Sequence, residues 1–196
     1  MNHVIVKPAG SATDASCIPV IETERLRLRA FTLNDLPAAC ELWADENVVR
    51  FIGAHTRSKP EVWTSMARSF GHWALLGYGF WALADKESDV YLGEIGYLEG
   101  LRDLHPPHTP DWINIPEAGW ALAEHAWGHG FATEALQAVC NWSDQNLTAE
   151  HTQCLIDPDH KASLRVAANN GYKPLREAGF GADREPTVVL TRKRGA

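Results

Sequence analysis

Residues 120–139, WALAEHAWGHGFATEALQAV, change character halfway along. The stretch opens as a short apolar run, passes through Gly128-His129-Gly130 and continues with helical spacing, Ala132, Ala135, Leu136, Val139 and Trp142 falling on one face. A strand-to-helix turn needs only one glycine, and this one has two and no proline. Two physical readings stand. Either the glycines serve the geometry of the turn alone, or they let the backbone close on an anion with no Cβ in the way, at a helix N-terminus whose first N–H groups are unpaired and partly positive. The turn lacks the Gly-Lys-Ser/Thr ending of a P-loop and the third glycine of a dinucleotide fingerprint, which excludes both.

The rest of the chain sets limits around that turn. At 196 residues with 45% hydrophobic content it suits one domain with a substantial core. We expect a loose leader over residues 1–20 and a single domain over 21–196. Glycines interrupt the longest uncharged apolar stretches before they reach the roughly 20 residues of a membrane span, so no membrane association is expected. The first 20 residues carry one basic residue, Lys7, and no continuous apolar core, which reads as no signal peptide and a cytoplasmic location. Cys17, Cys40, Cys140 and Cys154 form no Cys-x-x-Cys pair and are expected as reduced thiols. With 18 Lys+Arg against 25 Asp+Glu the formal charge is -7, and no dense basic cluster precedes the terminal TRKR, so nucleic acid is not the expected partner.

Patterning gives alternating elements rather than repeats. ERLRLRAF (24–31) alternates as a half-buried strand; Thr32 with Asp35 caps a first helix over LPAACELWA, and Ser58, Pro60 and Glu61 start a second. GFWALAD (79–85) and VYLGEIGYL (90–98) read as a hairpin joined by KESD. Residues 99–116 carry four prolines and should form a long irregular loop of the kind that is often functional. Then come a strand over 117–124, the glycine turn, a helix over 131–147, a strand over 152–156, a helix over 162–170 and a strand over 187–192, an α/β unit with a partly parallel sheet.

Three separated segments carry a resemblance. His125-Ala126-Trp127-Gly128-His129-Gly130 resembles the Gln/Arg-x-x-Gly-x-Gly/Ala hallmark of the GNAT superfamily of acetyl-CoA-dependent N-acetyltransferases. The wider WGHGFATEA is similar to the Trp-Gly-x-Gly-Tyr/Phe-Ala-Thr-Glu-Ala wording of its Rim-type branch, the ribosomal-protein-alanine acetyltransferases. TERLRLR (23–29) resembles that branch's first strand, and HKASLRVAANNGYK (160–173) its Asn-x-x-Ser-x-Arg segment, with Ser163, Arg165, Gly171 and Tyr172 in place. The departures are His125 for Gln/Arg, His160 for an asparagine that often contacts the pantetheine arm, and Ala167 at the position of a frequent catalytic tyrosine. The resemblance implies an α/β GNAT fold, a mixed, mostly antiparallel sheet of six to seven strands with a splayed central pair, flanked by about four helices. It implies acetyl-CoA as co-substrate and no metal. The pantetheine arm would pair with the backbone of Ala121, Leu122 and Ala123. The pyrophosphate would sit on Trp127, Gly128, His129, Gly130, Phe131 and Ala132, with Thr133 beside them, and the adenine end would lie outward past His160 and Ser163.

Acyl transfer from a thioester requires a neutral amine held beside the carbonyl, a group to take up its proton and a proton for the leaving thiolate; no covalent nucleophile is needed. Glu117 shares strand parity with Gly119 and Ala121 and is the first candidate base; the alternative is a solvated or ion-paired strand-end carboxylate. Glu94 is the second. Ala167 cannot protonate sulfur, which leaves Ser163 or a water it holds. His125 and His129 straddle a turn outside any HExxH pattern, so no metal site is expected. His105, His108 and Asp111 either shape an acceptor pocket or are exposed, Trp112 is a candidate acceptor wall, and most of Trp43, Trp63, Trp73, Trp81, Trp120 and Trp142 should be core. The expected reaction acetylates a primary amine, either a protein N-terminus or a small molecule, in a ternary complex on a monomer or homodimer. The alternative is a non-catalytic acyl-CoA sensor with the same fold.

Overall fold

Leu26 and Leu28 alternate with Arg27 and Arg29, and the structure, a computed structural model, buries both leucines completely in one strand. It describes residues 18–100, 102–107 and 115–195. The chain begins with β1 (Ile21–Glu22) and β2 (Leu26–Arg29). Asp35 then accepts from Thr32 N–H and Oγ1 and takes both Nη atoms of Arg29 at 2.8 and 2.9 Å, so the predicted cap is also the anchor of β2. Helix α1 (Leu36–Ala44) follows, then α2 (Glu46–Val49), started by the Asp45 carboxylate on Asn47 N–H. Ser58 and Glu61 form the capping box of α3 (Lys59–Leu76), which Gly77 ends at φ 73°.

The hairpin is β3 (Phe80–Asp85) with β4 (Tyr91–Leu98). After it come β5 (Leu104–His105), β6 (Glu117–Leu122), α4 (Phe131–Asn146), β7 (His151–Ile156), α5 (Lys161–Asn169), β8 (Lys173–Phe180) and β9 (Glu185–Lys193). Among the described residues one sheet takes nine strands in the order β1-β2-β3-β4-β6-β7-β9-β8-β5. Every neighbouring pair is antiparallel except β6 with β7, which is parallel and holds a single registered pair, Glu117 with Gln153. The mixed, mostly antiparallel sheet with a splayed central pair is therefore present. Helices cover both faces: Ala39, Leu42, Trp43, Val62 and Met66 pack on Ala82, Tyr91 and Ala121, while Ala135, Leu136, Val139 and Cys140 of α4 pack on Trp81, Leu83, Ile95 and Tyr97.

The differences from the sequence pattern have local causes. The sheet has nine strands rather than six or seven because β1 and β5 hold two residues each, too few to show a period, and β8 gives no strand signal. Lys173, Pro174 and Leu175 are exposed, so the start of β8 carries no apolar alternation. The strand expected over 24–31 is four residues long, and α2 makes five helices among the described residues. Trp43, Trp73 and Trp81 are buried as expected, but Trp63 is 49% exposed on α3. His108, Asp111 and Trp112 lie outside the described residues.

Candidate active site

The glycine turn joins β6 to α4 through one turn of 3-10 helix, Glu124–Ala126. Gly128 and Gly130 take φ values of 77° and 79°, so each glycine is required by its own backbone conformation. The product is an open turn. Trp127, Gly128, His129 and Gly130 are all exposed, a Cβ added at Gly128 would meet nothing within 4 Å, and no side chain caps the N-terminus of α4. Unpaired amides at a helix start with open space before them suit an anion. Phe131, Ala132 and Thr133 form the first, half-buried turn of that helix.

The segments that carried the resemblance meet at this place. Thr23 Oγ1 and Arg25 N donate to Glu134 Oε1 at 2.5 and 3.1 Å, and Arg25 Nε donates to Glu134 Oε2 at 2.8 Å. From the opposite side Asn170 Nδ2 donates to Thr133 O at 3.3 Å. The first turn of α4 is thus held by residues from the other two segments, a reason for their co-occurrence that spacing alone does not reveal.

From the turn a gap runs back between β6 and β7. Ala123 N–H donates to Leu92 O on β4, so ladder alternation commits the main chain of Ala121 and Ala123 to β4 and turns that of Leu122 toward the gap. There Leu122 O accepts Trp127 Nε1 at 2.8 Å. The gap closes at Glu117 and Gln153, where Gln153 N–H donates to Pro116 O at 3.0 Å. Both side chains are buried, and Gln153 Oε1 has no hydrogen-bond partner among the described residues.

By register Glu94, Glu117, Gly119 and Ala121 share one sheet face. The two glutamates differ sharply in surroundings. Glu117, 3% exposed, is held by Arg102, whose Nη2 and Nε donate to Oε1 at 2.6 and 3.0 Å while Nε also reaches Oε2 at 3.0 Å. This is the ion-paired alternative for a strand-end carboxylate. Glu94 is 7% exposed and, among the described residues, has no cation within ion-pair distance. Burial pushes its carboxyl above the ordinary glutamate range, and the charge of Arg57 and the Trp43 indole offset only part of that. Trp43 Nε1 and Tyr91 OH lie near enough to favour the carboxylate yet make no hydrogen bond among the described residues, and Arg57 covers the Trp43 ring at 3.4 Å from its centroid. Sequence pattern does not point to Arg102, Arg57 or Gln153, since Arg102 lies in an aperiodic loop and the others in no recognisable motif.

His160 caps α5 and stacks on Phe51 with ring centroids 4.5 Å apart; burial lowers its pKa, which favours the neutral imidazole. Ser163, half-buried, lies on the same helix, and among the described residues no hydrogen bond joins it to either glutamate. Ala167 is fully buried on the core side of α5. His125 and His129 are both exposed, and His105 lies 3.3 Å from Asp103 on β5. Among the described residues no three His, Cys, Asp or Glu side chains are grouped to hold a metal, and no helix is long and apolar enough to cross a membrane.

Comparison with known proteins agrees with this geometry. The family model for the acetyltransferase (GNAT) domain matches residues 25–173. The protein YkkB of Bacillus subtilis is 28% identical over 178 residues, covering 87% of this chain and 94% of YkkB. The uncharacterised N-acetyltransferase p20 of Bacillus licheniformis is 24% identical over 145 residues, covering 74% and 76%. The crystal structure of an acetyltransferase from Agrobacterium tumefaciens superposes with a TM-score of 0.71 at 25% identity, covering 95% of this chain and 98% of that one. RimL, a ribosomal L7/L12 alpha-N-protein acetyltransferase solved with coenzyme A, shares the fold with a TM-score of 0.70 at 16% identity, covering 89% and 98%.

Proposed function

The chain belongs to the GNAT acetyltransferase family, an acetyl-CoA-dependent class of acyltransferases, and on that premise we propose that it acetylates a primary amine by direct attack in a ternary complex. The observation that carries the proposal is the gap between β6 and β7, which opens at one end onto an exposed, uncapped glycine turn and closes at the other beside the buried Glu117, with the buried Glu94 in register with Ala121 on the neighbouring strand. The residues present fit acetyl-CoA. Trp127 to Thr133 would hold the pyrophosphate, and the main chain of Leu122 faces the gap between Ala121 and Ala123, where the pantetheine arm would lie. His160 and Ser163 would border its outer end. Bound there, acetyl-CoA supplies an acetyl group already activated as a thioester.

The chain's own residues then have three tasks. The amine would approach on the face shared by Gly119 and Ala121, where the Phe80 ring lies against Gly119 and would have to move aside, and its nitrogen bonds to the carbonyl carbon as the carbon–sulfur bond breaks. Glu94 takes the proton that the nitrogen loses, directly or through water. Its position in register with Ala121, its raised basicity and its lack of an ion-pair partner among the described residues support this role. Glu117 becomes the second candidate, because Arg102 already occupies its carboxylate oxygens and an incoming proton would have to displace that guanidinium. Ser163, or a water it holds, returns a proton to the thiolate.

A protein N-terminus is the favoured acceptor, since RimL is a ribosomal L7/L12 alpha-N-protein acetyltransferase and the net charge of -7 attracts cationic partners. Thiol release from acetyl-CoA, measured with peptides of varied N-terminus and with small amines and followed by mass spectrometry, tests the proposal. A mass gain of one acetyl group on an α-amine is the expected result. Coenzyme A binding with no thiol release on any acceptor would favour the sensor alternative.

A further inference from the structure

The two glycines that give the turn its shape also leave it free to lose that shape, because glycine tolerates either sign of φ. The His129–Gly130 peptide turns about ψ of His129 and φ of Gly130, and that φ stands at 79°. A trans peptide is planar, so its carbonyl and its N–H point in opposite directions. If that unit rotated, the turn would present a carbonyl oxygen in place of the Gly130 N–H, and an oxygen repels an anion. Something must therefore hold the carbonyl on the other side. Arg25 Nη1 donates to His129 O at 2.9 Å.

Arg25 is well placed to act as a rigid holder. Its Nε and Nη2 meet Glu134 Oε2 at 2.8 and 2.6 Å, and its own main-chain N–H donates to Glu134 Oε1. The guanidinium carbon lies 4.7 Å from the centre of the Phe131 ring. Glu134 and Phe131 both belong to the first turn of α4, so the planar group is fixed to the element whose amides it helps to aim. The Glu134 carboxylate also balances the charge of Arg25, which leaves the residue acting through the carbonyl it binds.

We propose that Arg25 is a positioning residue that locks the His129–Gly130 peptide and so sets how tightly the glycine turn grips the diphosphate of acetyl-CoA. The inference rests on the reading that this turn takes acetyl-CoA, and it assigns a task to a side chain 104 positions along the chain from the carbonyl it binds. A lysine cannot reproduce it, because one ammonium cannot hold the carbonyl and both Glu134 contacts in one plane.

The test compares two acyl donors on the full chain: acetyl-CoA and S-acetyl-N-acetylcysteamine, a short thioester with no diphosphate. Arg25→Ala should lower the ratio of kcat/KM for acetyl-CoA over the short donor by about tenfold or more, mostly through KM, and weaken coenzyme A binding by a similar factor in calorimetry. Arg25→Lys should recover little of either. Should Arg25→Ala fold poorly, Glu134→Gln, which loosens the same guanidinium, should move the ratio the same way. An unaltered donor ratio in the folded variants overturns the lock, and so does equal loss with both donors, which marks a merely structural role. Wild-type protein that fails to bind coenzyme A instead removes the acetyl-CoA reading itself.

Discussion

Replacing Glu94 and Glu117 by glutamine in turn should separate catalysis from scaffolding. Glu117 and Arg102 form an asymmetric pair, their side chains 4% and 33% exposed. Glu117→Gln leaves Arg102 a partly hydrated charge, so the usual cost of breaking a buried pair shrinks to about 1–2 kcal/mol, a fall in Tm of about 2–8 °C for a chain this long. Arg102→Ala leaves the buried carboxylate without its partner and should cost more, about 3 kcal/mol. Restoring balance in Arg102→Ala/Glu117→Gln should recover part of that loss. Glu94→Gln should behave in the opposite way. Its carboxyl is raised in the folded chain, so the ionised form costs stability above the raised pKa, and that cost fades as pH falls through it toward the ordinary glutamate range. The amide removes the cost, so at neutral pH the variant should melt at or above wild type, and wild type should gain on it as the solution is mildly acidified. Its kcat should drop about 10²-fold to 10⁴-fold, the span of a positioned base, with less loss at high pH where more amine arrives deprotonated. The assays are thermal unfolding across pH and thiol release at saturating acetyl-CoA. A folded Glu94→Gln enzyme with unchanged kcat refutes the assignment, and a large kcat loss confined to Glu117→Gln would return the role to Glu117.

Further outcomes are open to measurement. Gly128→Val and Gly130→Val force a β-branched residue to positive φ, at about 1–2 kcal/mol each, and should abolish coenzyme A binding while circular dichroism stays near wild type; normal binding by both would remove the turn from the site. Gly96→Ala would drive a Cβ into Gly79 O and to 2.6 Å from Phe80 Cα across the hairpin, and should cost about 1–3 kcal/mol in urea unfolding. Trp81→Ala empties a fully buried position that meets Trp73 and Trp142 edge-on and donates to Pro19 O at 2.7 Å; a loss of about 3–5 kcal/mol is expected, and less than 1 kcal/mol would contradict the packing.

What the sequence discloses follows from which forces act locally. Caps and glycines are local, so Thr32 with Asp35, Ser58 with Glu61, and the turn at Gly128 and Gly130 are legible along the chain itself, as is α4 to within one residue of its end. Strands with one wet face announce themselves by alternation, as Leu26 and Leu28 do. β8 is silent because an exposed strand near the sheet edge needs no such pattern, and β5 because two residues have no period. The site is half legible. Motif wording points to the turn and strand parity puts Glu117, Gly119 and Ala121 on one face, yet nothing along the chain tells that Arg102, 15 positions earlier, claims the Glu117 carboxylate. Long-range ion pairs such as that of Arg25 with Glu134 are visible only once the chain is folded.

The single rung between β6 and β7 makes the central gap a sheet with one strand withheld. A ligand arm lying there is met by main-chain groups, and these are the same whatever amino acid supplies them. Recognition of that kind is nearly exempt from mutation. Substitution of a β6 side chain would leave those groups in place wherever the core packing of Ala118, Ala121 and Leu122 tolerates it. The places where a side chain does matter to such a grip are those that shape the backbone itself, the two glycines and the groups that hold their turn.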